Sequence, residues 1–128
     1  MIKLLNTLEN KPVLSYLFAI FIGIFIFYIS SKSFLGGSPG PDIPFKSYIY
    51  HFSIFALFNL FLFIAITKGK INNTLMLFFV FFLSISYAIS DEIHQYFVQG
   101  RYCAYSDALL DSIGILFSGI FYIFIKRK

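Results

Sequence analysis

Four stretches of this chain are almost wholly apolar, and polar residues gather between them or at their ends. The runs extend from Val13 to Ser31, from Tyr48 to Ile66, from about Leu75 to Phe97 and from about Ala104 to Ile125. At about 1.5 Å of rise per residue, a run of about nineteen residues spans roughly 28 Å, the thickness of a bilayer core. Pro12 stands at a natural helix start before the first run. Lys3 and Lys11 precede that run as they would in a signal peptide. It exceeds a usual h-region, however, and no A-x-A site follows, so it is expected to remain as a span. The segment 32–47, SKSFLGGSPGPDIPFK, reads as a loop, with shorter links around Lys68–Lys70 and Gly100.

The pattern predicts an all-α integral membrane four-helix bundle, residues 1–128 forming a single domain. Lys3, Lys11, Lys68, Lys70, Lys126, Arg127 and Lys128 fall on one side of such a bundle; Lys32, Lys46 and Arg101 fall on the other. That asymmetry predicts both termini in the cytoplasm.

The exceptions to apolarity carry the chemistry. His51 lies 15 residues before Ile66, Asp111 lies 14 before Ile125, and Asp91 lies 16 after Leu75. These separations become roughly 22, 21 and 24 Å along the helix axes, so three helices bring ionisable groups to one level near the outer surface. Asp91, His94 and Gln95 share one helix face at i, i+3 and i+4, while Glu92 points about 100° away. Asp107, Asp111, Gly114 and Ser118 form a stripe at i, i+4, i+7 and i+11. Carboxylates facing lipid are costly, so this stripe is expected to face the bundle interior, with Gly114 and Ser118 admitting a neighbouring helix.

Composition narrows the classes. With 59% hydrophobic and 12% charged residues, 19 Phe among them, a soluble domain of this length could not hide its apolar surface. The net charge of +4 comes from basic residues flanking the apolar runs, which suits anionic lipid and argues against nucleic acid. The single cysteine, Cys103, rules out an intrachain disulfide and a multi-cysteine metal site.

The string Ser90-Asp91-Glu92-Ile93-His94-Gln95 with Gly100-Arg101, then Asp107, Asp111, Gly114 and Ser118, resembles the VanZ-like membrane protein family. His51-Phe52 on the second run completes the pattern, which covers about residues 46–119. The sequence departs from the family where Gln99 replaces a usual proline, Asp111 an asparagine and Ser118 a glycine, and where Ser47 and Tyr48 replace an Asp-Lys pair. The resemblance implies a small multi-pass cell-membrane protein of the cell envelope. The family is named for a member linked to resistance to the glycopeptide teicoplanin, so antibiotic resistance is the implied setting.

The ligand-binding candidates are His51, Asp91, Glu92, His94, Gln95, Arg101, Asp107 and Asp111. Arg101 suits a lipid phosphate or carboxylate, and equally a salt bridge to Asp91, Glu92 or Asp107. Asp107 follows Ser106 at a helix start, where capping alone would explain it; Asp111 is too deep for that. His51, His94, Asp91 and Glu92 are ligand types for zinc, manganese or iron. No H-E-x-x-H or comparable spacing is present, so no metal or other cofactor is expected.

The leading expectation is engagement of an envelope lipid or lipid-linked precursor headgroup at the outer leaflet, with Glu92 or His94 as acid or base if chemistry follows. The residues fit equally a non-enzymatic structural or partner-binding membrane protein, and they mark no nucleophile. A small transporter or a metal-dependent membrane hydrolase stands behind these. Transport is the weakest because no polar track continues towards the cytoplasm. A homo-oligomer is open, although no G-x-x-x-G pattern selects an interface.

Overall fold

A computed structural model describes residues 2–32, 44–101 and 105–127. Most of the Gly/Pro loop, together with Cys103, Ala104 and Lys128, lies outside the described residues. Those described form five helices and no strand: α1 (Ile2–Asn10), α2 (Pro12–Ser30), α3 (Pro44–Thr67), α4 (Thr74–Phe97) and α5 (Tyr105–Arg127). The last four are long and apolar enough to cross a membrane.

The apolar runs predict no helix before Val13, so α1 is an addition. Its segment is too short and polar to read as a span, but Leu5 and Leu8 share one face and are buried. They pack against Phe63, Ile64, Val80 and Tyr122. Proline disfavours helical geometry at the residue before it, and Lys11, at φ −121° and ψ 63°, breaks the chain between α1 and α2. Ser15 Oγ donates to the Leu8 carbonyl across that break, satisfying one of the acceptors that the end of α1 leaves open.

α2 is apolar on nearly every side, as expected of a helix in lipid. Its buried stripe is mostly small residues: Ser15, Ala19, Ile22, Gly23, Ile26 and Ser30. α3 packs most extensively against α5 and next against α2, whereas α2 touches α4 only lightly. The α3–α5 approach is close because Gly114 lacks a side chain: a Cβ there would stand 2.3 Å from the Phe52 carbonyl oxygen. Small residues let transmembrane backbones come together in this way.

Mid-bundle, Asn59 joins three helices. Its Nδ2 donates to the Ile115 carbonyl and to Ser118 Oγ, each at 2.8 Å, and its Oδ1 accepts from Ser84 Oγ at 2.8 Å. At the end shared by α1, the α3–α4 turn and the C-terminus of α5, Glu9 pairs with Lys126 at 2.8 Å. Glu9 also accepts from Tyr122 Oη, which lies 3.2 Å from Thr67 Oγ1.

Candidate functional site

The end of the bundle opposite Glu9 gathers every candidate residue, in two polar groups carried by adjoining faces of α4. Asp91 and Glu92 are consecutive and both buried. Their side chains diverge by about 100° around the helix, so burying both requires neighbours on two sides. α2 lies on the Asp91 side, and α3 with α5 on the Glu92 side.

The first group ties α4 to the end of α2. Gln95 Nε2 donates to Asp91 Oδ2 at 2.8 Å and more weakly to Ser30 Oγ at 3.4 Å. The turn after α4 has Gly100 at φ +83° and closes with Arg101 N–H donating to the Val98 carbonyl, the geometry of a type II turn. That turn folds Arg101 back over α2. Its Nη2 donates to the Ile29 carbonyl at 2.6 Å, its Nε to the Lys32 carbonyl at 3.2 Å, and its Nη1 to Gln95 Oε1 at 3.5 Å. A cation at the C-terminal carbonyls of a helix is well placed electrostatically. His94 also meets the end of α2, stacked on Phe27 at 4.6 Å between ring centroids, with Nε2 2.9 Å from Ser31 Oγ.

The second group joins α3, α4 and α5. His51 Nδ1 lies 3.0 Å from Asp111 Oδ1, and both residues are buried. An ionised Asp111 only accepts, so Nδ1 then carries the proton, and in the neutral ring Nε2 is the nitrogen left with a lone pair. Nε2 faces Asp107 Oδ2 at 3.6 Å, beyond hydrogen-bond range. One ligand atom each from His51, Glu92 and Asp107 lies within 4.8 Å of the others. Asp107 is the most open of the set, its side chain 17% exposed. Asp111 Oδ2 and Tyr50 Oη are buried without a hydrogen-bond partner among the described residues. Glu92, about 100° around the helix from Asp91, thus stands with His51 and Asp107, while Asp91 belongs with Gln95.

Below the first group, an apolar groove of about 420 Å³ runs between α2, α3 and α4. Gly23, Phe27, Phe58 and Tyr87 help line it, and Tyr87 Oη donates to the Gly23 carbonyl at 2.6 Å. Phe27 lines the groove and also carries His94, so apolar wall and polar rim meet at one ring. A wider recess of about 1050 Å³ at the opposite end, with Lys70, Lys126 and Arg127 on its wall, contains none of the candidate residues.

Several polar contributors escaped the sequence reading: Asn59, Ser30, Tyr50 and the Glu9–Tyr122–Thr67 set. Asn59 carried a usable signal, as the only amide within the second apolar run. Ser30 and Glu9 carried none, because their roles depend on which helix ends meet.

A family model described as VanZ/LLP1 matches residues 13–126 of the chain, nearly its whole length. Neither a curated protein nor a solved structure matches it.

Proposed function

The chain belongs to the VanZ/LLP1 family of membrane proteins, and from its site we propose that it engages the anionic headgroup of an envelope lipid or lipid-linked precursor. The observation that carries this reading is the continuity at Phe27, where a lipid-facing apolar groove ends against His94. An acyl or isoprenoid chain in that groove would bring its headgroup to the rim formed by His94, Ser31, Lys32 and Arg101. Lys32 Nζ rests 4.4 Å over the Tyr28 ring, adding a second cation at this end. The Ile29 and Lys32 carbonyls and Gln95 hold Arg101, so its guanidinium is oriented before a ligand arrives.

The excess of basic residues at the Glu9–Lys126 end supports a cytoplasmic position for that end, with the rim at the outer leaflet of the cell membrane. The resemblance to a family named for a teicoplanin-resistance protein extends the reading to the lipid-linked precursors of the envelope. It predicts that producing the protein in a susceptible host raises the inhibitory concentration of teicoplanin.

Native mass spectrometry of protein extracted in mild detergent tests the ligand class directly. The wild type should retain a phospholipid or polyprenyl-phosphate adduct, and Arg101→Ala should lose most of it. Wild type without an adduct, or an adduct unchanged in the variant, would overturn the reading.

A further inference from the structure

Three side chains of metal-ligand type converge at the α3–α4–α5 junction. His51 Nε2 faces Asp107 Oδ2 at 3.6 Å, and a Glu92 carboxylate oxygen completes a set within 4.8 Å. His51 and Glu92 are buried. Packing like-charged and lone-pair atoms together away from water is costly unless a positive charge sits among them.

The His51 ring is also held in one orientation. Asp111, fully buried, accepts from Nδ1 at 3.0 Å, and its second oxygen has no hydrogen-bond partner among the described residues. A buried carboxylate that fixes one imidazole nitrogen while the other points at further ligands is the arrangement that supports metal-bound histidines. The 3.6 Å gap between Nε2 and Asp107 Oδ2 is too long for a hydrogen bond. It is close to the spacing of two ligands on one ion at about 2.1 Å each.

The geometry points to a divalent transition-metal site of the zinc or manganese class, bound by His51 Nε2, Glu92 and Asp107, with Asp111 orienting the histidine. One imidazole and two carboxylates suit these ions. Three protein ligands leave coordination positions open, and Asp107 stands at the exposed side from which an ion or an anionic oxygen could approach. The site unites α3, α4 and α5, and binding there would pin all three. That a headgroup phosphate would fill an open position rests on the function proposed above; the metal site itself does not.

The test uses the full chain in mild detergent, stripped with a chelator and dialysed against zinc or manganese chloride, with bound metal measured by elemental analysis. About one equivalent per chain is expected. Glu92→Gln and Asp107→Asn, which preserve shape and should fold, are each expected to weaken binding at least tenfold. Asp111→Asn should weaken it within the 10–100-fold range usual for orienting partners. Glu9→Gln removes a carboxylate at the far end and should leave binding unchanged. Wild type that binds no metal, or Glu92→Gln and Asp107→Asn chains that bind as wild type does, would overturn the site. Metal binding without a lipid adduct would keep the metal site and remove the headgroup reading. An adduct without metal would do the reverse.

Discussion

His51 and Asp111, sixty residues apart in sequence, meet at 3.0 Å with both side chains buried. This contact gives a reason for the aspartate that replaces the asparagine usual in the resembled family. Either residue can accept the Nδ1 proton through its oxygen, but only the aspartate adds charge. Asp111→Asn is therefore expected to fold with a stability within about 1 kcal/mol of wild type. Asp111→Ala leaves the histidine donor buried without its acceptor and should cost about 1–3 kcal/mol. Thermal unfolding in detergent distinguishes the two; equal midpoints for Asn and Ala would remove the hydrogen bond from the account.

Asn59 supports a second prediction, since a single amide spans α3, α4 and α5 with three bonds of 2.8 Å. Interhelical hydrogen bonds in membrane proteins are individually modest, so Asn59→Leu should lower stability by about 1–2 kcal/mol. Ser84→Ala, which removes one of the three, should cost less. A larger loss for Ser84→Ala than for Asn59→Leu would contradict the hub.

These residues mark how far the sequence could be read. The spans were legible because hydrophobicity over about twenty residues is a strong signal. The inner faces of α4 and α5 were legible too, because carboxylates avoid lipid and helical spacing assigns them a side. What could not be read was pairing between helices. His51, Glu92 and Asp107 come from three different elements, so no spacing along the chain records their convergence. Glu9 lies in a polar segment before the first apolar run; its contacts depend on α1 folding back beneath α3 and α5, a tertiary event without a local signature.

Gly114 gives a third prediction. A methyl group there would meet the Phe52 carbonyl oxygen at 2.3 Å and the Ala56 nitrogen at 3.3 Å, both backbone atoms that cannot rotate aside. Gly114→Ala should force α3 and α5 apart and cost about 1–3 kcal/mol or more. Gly23→Ala is the comparison: its nearest neighbour would be a Phe58 ring atom at 3.5 Å, an ordinary contact. Unfolding midpoints should fall for the first and change little for the second. Equal midpoints would show that the helices tolerate the wider separation.

The turn that delivers Arg101 offers a fourth. Gln99 sits at the second position of a type II turn, before Gly100 at φ +83°, and proline is favoured there. Its N–H donates to no described backbone carbonyl in the turn. Gln99→Pro, restoring the residue usual in the resembled family, should stabilise the protein by about 0.4–1 kcal/mol by restricting the unfolded chain. Any lipid adduct should be unchanged, because Arg101 keeps its position. A clear loss of stability would mean that Gln99 contributes more than its backbone.

The last prediction concerns the end of the bundle away from the site. Glu9 is held between Lys126 Nζ and Tyr122 Oη, each at 2.8 Å, and its side chain is 8% exposed. An ion pair so sheltered is screened little by salt, and removing one partner leaves a charge without compensation. Glu9→Gln keeps an acceptor for Tyr122 but loses the pairing with Lys126; Lys126→Met leaves Glu9 charged. A double-mutant cycle should therefore yield a coupling of about 0.5–3 kcal/mol between positions 9 and 126, as for residues in direct contact. Unfolding of the wild type and the three variants measures it. Additive effects would mean that the pair contributes no coupling of its own and closes over a helix already docked by its other contacts, Leu5 and Leu8 among them.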